Sequence, residues 1–145
     1  MKAEKDFYLS DVREISRALY RNGNASTVRF TSQEGSIRPQ DAKLQTDPST
    51  GIVYVLPSHA GVSASEVFDG GINRWKIRAG TQVPIGLALA VDRLVPGHVH
   101  IVATRRMKMS EYIALLETMF EQAAKVTNIQ AELVQNKASL QGRRA

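Results

Sequence analysis

Three sets of side chains in this sequence have the types and spacing to do chemistry. His98 and His100 stand one residue apart, so on a strand both imidazoles point to one face. Two such imidazoles can bind a metal with a third ligand, or divide acid and base roles in nucleic-acid cleavage. The sequence offers no third ligand at a matching spacing, and a histidine bonded to a backbone group is the ordinary alternative. The remaining histidine, His59, sits in a Pro-Ser-His-Ala-Gly loop, either exposed or facing a substrate. The second set is Ser63, Ser65 and Glu66, at the start of an expected strand. A carboxylate there can steady a developing positive charge, while the same residues also suit a polar loop entering a strand. The third is Tyr20-Arg21, which closes the first amphipathic segment. An arginine at that point suits bidentate phosphate binding, or simply complements the end of a helix dipole.

The elements that must position these groups follow from pattern. Val12, Ile15 and Leu19 recur at helical spacing behind Ser10-Asp11, predicting a helix over 9–19 that breaks at Asn22-Gly23-Asn24. Val28 and Phe30 alternate with polar neighbours, a short strand over 27–30. Residues 31–50 are polar, with Pro39 and Pro48, and read as an excursion or lid that buries little. Gly51 to Leu56 is β-rich and apolar, a buried strand stopped by Pro57. A strand over 66–69, a turn at Gly70-Gly71 and a return over 72–78 predict a hairpin. Residues 87–91 are ambiguous between strand and helix, and 98–104 alternates as a strand. Ile113, Leu116, Phe120, Ala123 and Ala124 share a face, predicting a long helix from Ser110, as its cap, to about Val134. A loose polar tail follows over about 136–145. The pattern is a single α+β domain: short antiparallel strands between an N-terminal helix and a long C-terminal helix.

The 145 residues are enough for a core without staples, and the absence of cysteine excludes disulfides and thiol catalysis. Met1-Lys2-Ala3-Glu4-Lys5-Asp6 is charged, with no apolar run behind it, so no secretory leader is expected, and a soluble protein is. No Gly-x-Gly-x-x-Gly or Walker loop is present. The net charge of +5 suits either a solvated basic face or a face for phosphates or an acidic partner. Its local concentrations are Arg74-Trp75-Lys76-Ile77-Arg78 and Arg105-Arg106-Met107-Lys108. Trp75 itself reads as a partly buried sheet residue or as a stacking platform.

Taken in order, Val67-Phe68-Asp69, Thr81-x-x-Pro84, the His100 strand and Met109 opening the last helix form a recognisable series. It resembles the C-terminal half of a family of small bacterial toxins exported by the type VI secretion system. Leu19-Tyr20-Arg21 is similar to that family's opening Leu-Tyr-Arg. The resemblance implies an ADP-ribosyltransferase-like split sheet, NAD as cofactor, and action in the cytoplasm of a rival bacterium. It implies Ser65, with Ser63 as its neighbour in reserve, and His100 as the residues that determine toxicity. Arg21 would hold the pyrophosphate and Ser65 the nicotinamide ribose. Tyr20 or His100 would contact the ribose or ring, and Glu66 would steady the cationic centre. A cognate, acidic immunity protein is the implied partner, over the cleft or the basic face around Trp75. The chain carries no Glu-x-Glu, and both transfer and NAD glycohydrolysis begin by breaking the same nicotinamide bond. Two other expectations stand beside this one: a basic nuclease using His98 and His100, and a non-catalytic binding module.

Overall fold

A computed structural model of the chain describes residues 7–10, 12–26, 28, 37 and 41–142. Its strands are β1 (Phe7–Ser10), β2 (Leu19–Asn22), β3 (Leu44–Thr46), β4 (Val53–Val55), β5 (Val62–Ser65) and β6 (Arg74–Ile77). There follow β7 (Leu87–Asp92), β8 (His98–Ala103), β9 (Met107–Lys108), helix α1 (Met109–Met119), β10 (Ala124–Lys125) and helix α2 (Ile129–Gly142). Seven strands make one antiparallel sheet in the order β1-β7-β8-β5-β2-β6-β10, and β3-β4-β9 make a smaller antiparallel one. No helix among the described residues is long and apolar enough to cross a membrane.

The β7–β8 hairpin shows how sequence dictates the frame. Leu87 to Val91 is apolar, and Asp92 ends it by accepting the backbone N–H groups of Leu94 (2.8 Å) and Val95 (3.3 Å). Gly97 then takes a φ of 82°, which a side chain would resist, and the chain returns as β8. Alternation gives the large sheet two unlike faces. On one, Leu19, Val62, Ala64, Ile77, Leu87, Leu89, Val99 and Ile101 pack in a single core with Tyr112 and Leu116 of α1 and Val55 and Met107 of the small sheet. Tyr112 is fully buried, donating its hydroxyl to the Ile101 carbonyl (2.6 Å) and accepting the Val62 N–H (3.1 Å). Burial pushes its phenol up to about 12. The other face carries a smaller apolar cluster, Phe7, Ala88, Ala90 and Val102, and is shared with the candidate polar residues.

Several expected elements are corrected. The described residues of 9–19 are not a helix: β1 occupies the first two, Asp11 of the expected cap lies outside the described residues, and 12–18 is laid against a neighbouring loop. Ile15 N–H bonds Thr81 O, Val83 N–H bonds Arg13 O and Gly80 N–H bonds Ile15 O. Those long-range bonds replace the i to i−4 ladder, and Val12, at the supposed buried stripe, is 42% exposed. The long final helix is two helices with β10 between them, because Val126 N–H bonds Arg74 O and draws the connection onto the sheet edge. Asn128 restarts the helix by accepting the Ala131 N–H on its side chain. Ser110 lies inside α1, whose N-cap is Lys108. The tail expected to be loose is the last part of α2 as far as Gly142, and 143–145 lie outside the described residues.

Strand β5 ends at Ser65, so 66–69 is not a strand, and no 66–78 hairpin forms because β2 lies between β5 and β6. The polar excursion contributes more than expected. Although 31–36 and 38–40 lie outside the described residues, Ile37 and Ala42 are buried in the main core and β3 pairs with β4. Of the short strand over 27–30 only Val28 is described, bridged to Gly23. The expected strands over 51–56, 72–78 and 98–104 all contain observed ones, and 87–91, ambiguous between strand and helix, lies within β7.

Candidate functional site

Helix α2 lies across β2 and β6 and leaves a groove of about 610 Å³. That is within the range that takes a small molecule or cofactor. Four cationic side chains line it: Arg17, Lys76, Arg78 and Lys125. On its floor Tyr20 donates its hydroxyl to Glu132 Oε2, and Lys76 Nζ stands 2.9 Å from the same oxygen. Burial, reinforced by the Glu132 carboxylate, drives the Tyr20 phenol far above its ordinary value, so it stays a donor. Burial acts to raise the Glu132 carboxyl, but the bonds from Tyr20 and Lys76 outweigh it and leave it below the usual carboxylate value. The result is a neutral phenol, a carboxylate and an ammonium in contact, with further cations at the rim. Glu66 also lines the groove, and Arg17 donates to the Ser139 carbonyl on α2.

From the groove a row of polar residues runs across the sheet. Tyr20 is paired with Ser65 across β2 and β5, and Ser65 with His98 across β5 and β8. Adjacent strands lie about 4.8 Å apart, so Tyr20 and His98 are roughly 10 Å apart along this row. The row ends at Asp92, whose Oδ2 is 3.0 Å from His98 Nδ1. Asp92 is nearly buried, while His98 keeps 30% of its side chain exposed. The hydrogen bond from His98, followed by those from the turn N–H groups, holds the Asp92 carboxyl below the ordinary value. Ser65 Oγ accepts the Val67 N–H (3.0 Å), which ends β5 and leaves its proton for another acceptor.

The three histidines of the chain gather around Phe7 at the far side of this row. His100 stacks on Phe7 with ring centres 4.5 Å apart, and His98 meets His100 edge-on at 4.9 Å. His100 Nδ1 lies 2.9 Å from the His59 carbonyl. That contact fits Nδ1 as the protonated nitrogen. Among the described residues no group of three or more histidine or carboxylate side chains is arranged to hold a metal ion.

The sequence-derived residues therefore divide into three places. Tyr20 and Glu66 line the groove; Ser65 lies beside Tyr20, one strand nearer His98. Ser63 and His100 are cross-strand partners further out on the same face. Arg21, next to Tyr20 on a strand, belongs to the opposite face and does not line the groove. Its guanidinium donates to the Ser63 carbonyl at 2.6 Å and lies 3.4 Å from Ser63 Oγ. Trp75 is half-buried on β6 and donates its indole N–H to Asn24 O, as a sheet residue.

Sequence reasoning missed Glu132, Lys76 and Asp92. Lys76 was visible only as one member of a basic run. Asp92, a turn-former six residues before His98, carried a usable signal: a tight hairpin sets its two flanking residues side by side. Glu132 carried none, because nothing local says that α2 folds back over β2. No family model, curated protein or solved structure matches this chain.

Proposed function

We propose that the groove beneath α2 binds NAD. On this reading the protein is an NAD-cleaving antibacterial toxin, an ADP-ribosyltransferase or glycohydrolase acting in the cytoplasm of a target cell. The observation that carries the reading is the groove itself. It has the volume for part or all of a dinucleotide, and its four cations suit a pyrophosphate. The sequence resemblance to type VI secretion toxins supplies the biological setting and the acidic immunity partner.

On this reading the roles are redistributed. Arg17, Lys76 and Arg78, rather than Arg21, are the candidate pyrophosphate contacts, and Arg21 braces β5 through Ser63. The neutral Tyr20 phenol donates to Glu132, and its oxygen can accept from a ribose hydroxyl. Breaking the bond between ribose C1′ and nicotinamide N1 sends the bonding electrons to nicotinamide and leaves positive charge on the ribose. Glu66, at the end of β5 where Ser65 also lies, is the carboxylate that would steady that charge.

The test is nicotinamide release from NAD by purified protein, with and without bacterial lysate. Release with a labelled macromolecule in the lysate establishes a transferase; release without one establishes a glycohydrolase. No release from folded protein under either condition refutes the reading. The edge-on pair His98–His100 favours phosphodiester cleavage as the second reading, and degradation of RNA or DNA without NAD would bring it forward.

A further inference from the structure

Any reaction at an NAD ribose needs a second group that the groove does not supply. Once nicotinamide has left, the incoming acceptor, water or a hydroxyl of a macromolecule, must lose a proton as it bonds to C1′. The groove's own carboxylate Glu132 is held by Tyr20 and Lys76, and Glu66 is needed near the cationic carbon. The proton acceptor must therefore lie at the margin of the groove, on a face that a second reactant can reach.

We infer that His98 is that general base, with Asp92 as its positioning residue; the inference rests on the NAD reading above. Asp92 is fixed from behind by the Leu94 and Val95 N–H groups, so its carboxylate cannot turn away from His98. Its Oδ2 accepts a hydrogen bond from His98 Nδ1–H at 3.0 Å in the tautomer that leaves Nε2 with its lone pair as the basic nitrogen. His98 keeps 30% of its side chain exposed and does not itself line the groove. Its neighbour across the ladder is Ser65, and the next residue in the row is Tyr20 on the groove floor.

A second contact ties the base to the groove. Glu66 N–H donates to Gly97 O at 2.8 Å, one residue before His98. A side-chain carbon on Gly97 would meet Glu66 Cβ and Val67 Cγ2 at 3.3 Å, so the two segments are closely packed. The carboxylate proposed for the cationic carbon and the histidine proposed for the acceptor are thus carried on directly bonded segments. The balance is complete: the acceptor oxygen forms a bond to C1′, its proton passes to His98 Nε2, and nicotinamide has already left with the electrons of its own bond. His98 then returns the proton to solvent.

The experiment compares wild type, His98→Ala and Asp92→Asn for turnover of NAD. Water is the acceptor in one series and bacterial lysate in the other, and folding is checked by circular dichroism. General-base catalysis is worth roughly 10²–10⁴-fold. The expected result is a fall in kcat of about 10²-fold or more in both variants, with KM for NAD unchanged. Added azide, an anion that attacks C1′ without losing a proton, is expected to restore nicotinamide release in both variants and to yield the ribosyl azide. Full turnover by folded His98→Ala, or loss that azide does not restore, overturns the base assignment while wild-type activity keeps the NAD reading. Absence of nicotinamide release from wild type itself refutes the reading and the base assignment with it.

Discussion

Tyr112 shows how much one side chain can hold. Its hydroxyl is inserted at the end of the β5–β8 ladder, serving the Val62 N–H and the Ile101 carbonyl at once. Tyr112→Phe keeps the ring and strands both backbone groups, at a cost of about 1–3 kcal/mol. A shift of the urea midpoint at unchanged slope measures it. Acid sensitivity belongs to the same scale. Asp69, beside Arg74, and Asp92, beside His98, both have folded-state pKa values below the ordinary one. A depressed pKa contributes stability above the unfolded value, near 4, and loses it as pH falls through the folded value. Unfolding midpoints are therefore expected to fall below about pH 4, and Asp92→Asn to flatten part of that acid limb. At this scale the sequence was informative about residue types. His98, His100, Ser65 and Glu66 could be named, since strand alternation is local. Which of them meet was not legible, because Arg21 and Tyr20 part company at one peptide bond and Glu132 arrives from far along the chain.

Among elements, α2 stands apart from α1. Helix α1 seats Tyr112, Leu116 and Met119 in the core, whereas the one buried residue described in α2 is Asn136. That asparagine accepts the Phe68 N–H and donates to the Glu66 carbonyl. Glu132 and Ser139 add further polar contacts to the sheet and to Arg17, and Leu133 packs near Gly70. A helix fastened mainly by hydrogen bonds releases with less exposed apolar surface than one seated in a core. Amides of α2 are expected to exchange with deuterium well before those of β7 and β8. Asn136→Ala is expected to speed that exchange selectively and to cost about 1–3 kcal/mol. The same contrast explains why the final helix was misjudged. Ile113, Leu116 and Phe120 wrote a clear stripe for α1, but Ala123 and Ala124 extended it falsely, since the break at β10 comes from pairing with β6. The opening helix failed for the same reason: three-and-four spacing of Val12, Ile15 and Leu19 does not distinguish a helix from a loop tied to Thr81.

For the molecule as a whole, the main core joins both sheets and α1 without a gap. Thermal unfolding is expected as one cooperative transition, with coincident near- and far-ultraviolet dichroism. If NAD binds the folded form alone, saturating it at about 100 times its Kd adds roughly 2.7 kcal/mol, read as a rise in Tm. The α+β class and the antiparallel strands were legible, because β-rich runs and tight turns are local signals. The order of the strands was not, since nothing in residues 62–78 announces that β2 will stand between them.

That placement has a consequence for how the chain comes to be folded at all. The ladder closes on either side of β2 only with partners made some forty residues or more later, and β6 waits in turn for β10. During synthesis the early strand emerges with both edges unsatisfied, and any later unfolding recreates that state. Interleaved, non-local pairing of this kind makes folding slow and leaves strand edges open to aggregation meanwhile. A companion that shields those edges until β10 has been made would govern the yield of folded molecules as much as the stability of the finished sheet.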